Sequence, residues 1–178
     1  MPILISLMKR WKNLRNKITI LGVDPGLKTT GYGVIEISYG PDERVTLLEA
    51  GTIHPKQQDV LENRINTVYQ NLGDIIRQYT PHVLVLEKLY AHYKHPTTAC
   101  LLGHVRGVIC LLCAHHQVEL VEHSVKRVRK SLVGNGNATK QQTQRAVERI
   151  LSVPERKLAL DASDALALAL AFGYMNKF

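Results

Sequence analysis

Ile18-Thr19-Ile20-Leu21-Gly22-Val23-Asp24-Pro25-Gly26 is the stretch that decides the fold of this chain. Ile18 to Val23 is a short, continuous run rich in β-branched residues. It reads as a central strand buried on both faces. The run ends on a carboxylate, Asp24, and Pro25-Gly26 then turns the chain. Gly31-Tyr32-Gly33-Val34-Ile35-Glu36-Ile37 reads as a second strand, hairpinned to the first. Val45 to Ile53 reads as a third, after the turn signal Gly40-Pro41-Asp42.

Beyond these strands the periodicity changes. From Gln57 to Tyr79 the apolar residues Val60, Leu61, Ile65, Val68, Leu72, Ile75 and Ile76 recur at helical spacing. Pro81 stops that helix, and His82 to Leu86 gives a fourth strand ending at Glu87. Thr97 to His116 reads as a long apolar helix, and Val118 to Val121 as a fifth strand. Residues 124–137 read as a loop, Ala138 to Leu151 as a helix with Pro154 past its end, and Leu158 to Tyr174 as the last helix. Three hairpinned strands followed by alternating helices and strands predict an α/β fold, a five-stranded mixed sheet flanked by helices. Neither a repeat nor a low-complexity segment interrupts it.

The chain has 178 residues, 45% hydrophobic and 21% charged, with a net charge of +8. Such a chain forms one domain of ordinary size with a core of its own, and its charge favours an anionic partner such as nucleic acid. The domain is expected over 18–178, behind a basic N-terminal extension, 1–17. In that extension an apolar start precedes Lys9, Arg10, Lys12, Arg15 and Lys17, the reverse of a secretory signal. It reads as a frayed or misassigned start, or as a basic amphipathic segment touching DNA or a membrane surface. No apolar run reaches about 18 residues without charges, so no transmembrane helix is expected. Cys110 and Cys113 form a C-x-x-C, but on a helix and without a second pair. With Cys100 they read as buried free thiols of a cytoplasmic protein rather than as zinc ligands.

Four acids stand apart. Asp24 and Glu87 lie at the ends of apolar strands, where α/β sheets place their ligands. Asp161 and Asp164 open the last helix at i and i+3, on one face. Each has a plainer reading alone. Asp24 caps an Asp-Pro-Gly turn, Glu87 pairs with Lys88, and Asp161 and Asp164 favour the helix dipole. Together, two strand tips and one helix start can converge on two Mg²⁺ or Mn²⁺ ions about 4 Å apart, because such ions prefer oxygen ligands. In a basic chain, that set suits in-line hydrolysis of a phosphodiester. The spacing of Gly26 and Gly31 hints at a P-loop, but Tyr32-Gly33 stands where Lys-Ser/Thr is needed.

The basic residues are also concentrated. Lys126, Arg127, Arg129, Lys130, Lys140, Arg145 and Arg149 lie between 123 and 149, against one acid, Glu148. The loop Gly134-Asn135-Gly136-Asn137-Ala138 could hold phosphates with its backbone amides, helped by Lys140. A solvated charged face is the alternative. Tyr90, three residues after Glu87, could stack on an unpaired base or be buried in the core.

These motifs together resemble the RuvC family of Holliday-junction resolvases, from Ile20 through Phe172. The resemblance rests on Ile20-Leu21-Gly22-Val23-Asp24-Pro25-Gly26 with Thr30-Gly31-Tyr32-Gly33, and on Glu87. It rests further on Gly103-His104-Val105-Arg106-Gly107, on Val133-Gly134-Asn135-Gly136 with Ala138 and Lys140, and on Asp161-Ala162-Ser163-Asp164-Ala165-Leu166-Ala167. It implies an RNase H-like fold and a homodimer. It implies paired symmetric nicks across a four-way DNA junction, dependent on Mg²⁺ or Mn²⁺ and leaving 5′-phosphates. Asp24, Glu87, Asp161 and Asp164 match the family's metal-binding carboxylates. Tyr90 falls at its base-engaging aromatic, and Arg129 and Lys140 at its DNA-contacting basic positions, with Lys130 beside them. A RuvA–RuvB branch-migration complex is the implied partner. The extension through Lys17 and the proline in Tyr93-Lys94-His95-Pro96 depart from the family pattern without removing a ligand.

Symmetry argues for a dimer on physical grounds as well, since a four-way junction offers two equivalent strands. The apolar helix from Thr97 to His116 is the expected interface. Two other functions remain: a non-catalytic junction- or DNA-binding module, which has no need of four acids, and a nucleotide-dependent phosphotransferase, which needs a second lobe that 178 residues hardly allow.

Overall fold

The computed structural model describes residues 17–39, 43–88, 96–154 and 158–176. Tyr90, the turn signal Gly40-Pro41-Asp42 and the first sixteen residues lie outside them. The five strands are β1 (Lys17–Asp24), β2 (Thr30–Ser38), β3 (Arg44–Ile53), β4 (Val83–Glu87) and β5 (Glu119–His123). They form one sheet in the order β3-β2-β1-β4-β5. β1 pairs antiparallel with β2 and parallel with β4, and β4 pairs parallel with β5. The sheet is mixed and five-stranded, as the sequence predicts, and the architecture is RNase H-like. Lys17 begins β1, bonded to Glu36 at 2.8 Å, rather than ending an extension.

The helices are α1 (Leu61–Tyr79), α2 (Pro96–His116), α3 (Val125–Val133), α4 (Lys140–Ile150) and α5 (Leu160–Met175). α1 begins later than the periodicity suggests: Asp59 N–H bonds to the Lys56 carbonyl in a turn, and Val60 caps the helix without a side-chain bond. α3 corrects the loop expected at 124–137. Val125, Val128 and Leu132 recur at helical spacing, the Ser124 hydroxyl accepts from the Arg127 amide, and Gly134 closes the helix at φ 79°. Gly134 adopts that left-handed conformation without the Cβ penalty. α4 opens on a capping box between Thr139 and Gln142, a motif worth about 1 kcal/mol.

The two faces of the sheet carry separate cores. α1 and α2 cover one, packing Leu72, Ile76, Ile109 and Leu112 against Leu21 and Leu84. α5, flanked by α3 and α4, covers the other with Leu166 and Leu170 against Ile20 and Val85. Each such side chain contributes roughly 1.5–3 kcal/mol on burial. α5 lies directly on the strand backbone, and glycine permits this. A Cβ at Gly22 would stand 1.9 Å from the Ala165 carbonyl oxygen, and one at Gly31 2.0 Å from that of Asp161. Because Gly31 faces Asp24 in the β1–β2 register, this approach sets the start of α5 beside the tip of β1.

α2 is long and apolar enough to cross a membrane by length and composition. Arg106 in its middle donates to the Glu87 carbonyl at 2.7 Å and pairs with Glu122, so one side is fastened to the sheet. Gly103, Gly107, Cys110, Leu111 and Ala114 are exposed on the helix. Cys100 and Cys110 are therefore exposed rather than buried. Cys113 alone is buried, its thiol pushed up to about 12, chiefly by that burial.

Candidate active site

Asp24 ends β1 and Glu87 ends β4, one strand apart in a parallel pair, so both carboxyls leave the same edge of the sheet. The first turn of α5 brings Asp161 and Asp164 to that edge through the glycine contact at Gly31. Asp24 senses the charges of the other three acids. Asp24 is pushed from 3.8 up to about 7, first by burial and then by the charges of Asp164, Glu87 and Asp161, against an opposing effect of Lys140. Glu87 is raised by burial and by Asp164, while Lys140, Arg129 and Arg106 oppose the rise.

The basic side chains divide in a way the sequence does not reveal. Lys140 Nζ donates to Asp164 Oδ2 at 2.7 Å. Its own pKa is raised, chiefly by that bond. Glu87, Arg129, Lys140, Thr143 and Asp164 line a cleft of about 190 Å³. Lys130 does not line it; it opens instead on a second groove, with Arg127. One helical residue is about 100° of rotation, which separates Arg129 from Lys130. The phosphate loop is also less open than expected. The Gly134 amide bonds to the Lys130 carbonyl, Asn137 to the Asn135 side chain, and Ala138 to the Asn135 carbonyl.

Two contributors escaped the sequence reading. Arg106 holds the Glu87 carbonyl from α2 and pairs with Glu122 of β5, fixing the strand tip from the far face of the sheet. Thr143, buried on α4, lines the cleft beside Lys140. Arg106 falls within the Gly103–Gly107 motif, which was its one visible signal; Thr143 had none.

The donor set fits a hard divalent cation. All four acids offer carboxylate oxygen. Burial and the neighbouring carboxylates raise Asp24, and positive charge beside the cluster offsets that rise. Lys140 supplies one such charge. Among the described residues, no three acidic, histidine or cysteine side chains stand close enough to share one ion. For Asp164 to share a cation with its neighbours, it would have to exchange its bond to Lys140 for the metal.

The description of crossover junction endodeoxyribonuclease RuvC matches residues 20–172. A protein of that name from Rhodopirellula baltica is 40% identical over 156 residues, 88% of this chain and 86% of the relative. One from Chloroherpeton thalassium is 40% identical over 150 residues, 84% of this chain and 78% of the relative. Among solved structures, Thermus thermophilus RuvC superposes with a TM-score of 0.81 at 21% identity, covering 90% of this chain and 96% of the other. A second structure of that protein, in complex with a Holliday junction substrate, gives 0.80 at 18% identity, over 90% and 96% of the two chains. The solved structures establish the shared fold. The match across nearly the whole sheet-and-helix body, Asp24 through Asp164, establishes more: this chain belongs to the RuvC family of crossover junction endodeoxyribonucleases.

Proposed function

We propose that the protein resolves four-way DNA junctions, hydrolysing one phosphodiester in each of two opposed strands and leaving 5′-phosphates. The observation that carries this reading is the meeting of Asp24, Glu87, Asp161 and Asp164 with Arg129 and Lys140 at one edge of the sheet. A non-catalytic DNA-binding module gains nothing from half-buried carboxylates that repel phosphate.

Asp24, Glu87, Asp161 and Asp164 would hold Mg²⁺ or Mn²⁺, two ions per site. Bound there, the ions would activate a water and stabilise the leaving oxygen. The chain's own groups do the rest. Arg129 and Lys140 bind the phosphate flanking the cut. Lys140, once released from Asp164, is free to do so. Arg106 holds the Glu87 backbone still, which keeps its carboxylate in register with Asp24. Asp24, raised to about 7 by burial and its acidic neighbours, is partly protonated near neutral pH and would release that proton to an entering cation.

The protein acts as a homodimer. The exposed face of α2 carries Gly103, Gly107, Cys110, Leu111 and Ala114. These small and apolar residues let a second copy approach closely about a two-fold axis. Two active sites then face two equivalent strands. A RuvA–RuvB branch-migration complex is the expected partner, and a reducing cytoplasm suits the three free thiols. Tyr90 remains the proposed base-stacking residue.

Incubation of the purified protein and Mg²⁺ with a labelled mobile four-way junction, beside linear duplex of the same sequence, tests the reading. Junction-selective cleavage that disappears with chelator supports it. Tight junction binding without cleavage in either Mg²⁺ or Mn²⁺ would favour the binding module.

A further inference from the structure

α3 carries basic side chains on two sides. Arg129 faces the carboxylate cleft. Arg127 and Lys130 open on a second groove of about 510 Å³, lined also by Ser131, Tyr174 and Met175. Its cations are poorly matched within the protein. Arg127 Nε donates to Met175 Sδ at 3.0 Å, and a thioether is a weak acceptor. Among the described residues, neither Arg127 nor Lys130 forms an ion pair with a carboxylate. Both are exposed, as is Lys126 on the same helix. Tyr174 stands 36% exposed at the groove. Burial, and after it the charge of Glu43, raises its phenol above the ordinary value, so the hydroxyl is protonated and able to donate.

Position says what the groove is for. Asp164 and Tyr174 both lie on α5, ten residues apart, which is about 15 Å at 1.5 Å per residue. Successive phosphates rise about 3.4 Å along a duplex axis but also wind around it, so a straight reach of about 15 Å takes in roughly two to three nucleotides of one strand. α3 joins the two places, with Arg129 in one and Lys130 in the other. We infer that the Arg127–Lys130–Tyr174 groove is a second phosphate-binding subsite, gripping the backbone of a junction arm roughly two to three nucleotides from the scissile phosphate. The inference rests on the nuclease reading for the identity of its substrate. An acidic peptide would satisfy the same charges, but the shared helix and the spacing favour one continuous DNA backbone.

The test uses the full chain, in chelator, so that it reads binding without cleavage. Junction affinity is measured by fluorescence anisotropy over a range of salt, on a junction with ordinary phosphates and on one of the same sequence with neutral methylphosphonate linkages roughly two to four nucleotides from the crossover. The variants are Arg127→Gln/Lys130→Gln and, separately, Tyr174→Phe, each checked for wild-type thermal unfolding. Wild type should bind the ordinary junction more tightly than the neutralised one. Loss of about two phosphate contacts should lower the slope of log K against log salt by about 2 and weaken binding to the ordinary junction about tenfold or more at moderate salt. The double variant should no longer distinguish the two junctions, and Tyr174→Phe should lose part of the distinction. A wild-type slope and a wild-type preference for the ordinary junction in the double variant would overturn the inference. Failure of wild type to cut junctions in Mg²⁺, with the slope change intact, would instead sink the nuclease reading and leave the groove standing.

Discussion

Replacing Asp24 by Asn should make the metal-free protein more stable at alkaline pH while abolishing cleavage. The folded state raises Asp24 from 3.8 to about 7. Between those values the folded protein holds a proton that the unfolded chain has released, so stability falls as pH rises through this window. At 1.36 kcal/mol per pH unit the full loss is about 4 kcal/mol. The carboxyl is only half-buried at the tip of β1, and solvent screening reduces this to about 2–4 kcal/mol. Asn cannot ionise, so Asp24→Asn escapes the loss. Urea unfolding in chelator at pH 4 and pH 8.5 would read the effect. The variant should gain about 2–4 kcal/mol on wild type between the two pH values, and Mg²⁺ should stabilise wild type far more than the variant. Only the difference between the proteins isolates Asp24, because His123 pulls the other way over an overlapping range. Parallel pH profiles for the two proteins would refute the reasoning.

Four further changes probe other links. Gly31→Ala drives a Cβ to 2.0 Å from the Asp161 carbonyl oxygen; it should cost about 1–3 kcal/mol and displace Asp161, so denaturation and cleavage assays should both show loss. Lys140→Met removes the 2.7 Å bond to Asp164; NMR titration should place Asp24 higher than in wild type, and junction affinity should fall. His123, buried beside Phe172, is pulled down to about 4, chiefly by burial and then by Arg127. The folded state therefore holds fewer protons there, and stability is lost as pH falls from 6.5 towards 4. His123→Phe should escape that loss, so its melting temperature relative to wild type should rise as pH falls through the window. Gly107→Glu places a charge on the exposed face of α2 and should give a monomer by light scattering, while an unchanged mass would remove that face from the dimer account.

Much of this was legible because the informative residues are local. The β1 run is apolar and β-branched, ends in Asp24, and is followed by a turn, so its burial and its carboxylate could be read together. Asp161 and Asp164 were legible as a shared helical face, and the small residues after them do lie against the sheet. α3 was hidden by its own charge, since four basic residues between Lys126 and Lys130 obscure the spacing of Val125, Val128 and Leu132. With the helix missed, its phase was missed too, and Lys130 was grouped with Arg129 although the two open on different grooves. Arg106 was recognised as part of a motif, but its bond to the Glu87 carbonyl spans 19 residues and two layers of the fold. No local pattern encodes such a contact. The late start of α1 reflects the turn at Lys56 to Asp59, where propensity did not decide.

The central claim is that these four carboxylates cut two opposed strands of one junction. The most direct measurement maps the cuts on a mobile four-way junction, labelled on each strand in turn, with wild type and Asp24→Asn in Mg²⁺. The account predicts nicks at symmetric positions on two opposed strands, resealed by ligase, and none with the variant. Cuts on a single strand, cuts that also appear on linear duplex, or full activity in Asp24→Asn would contradict it.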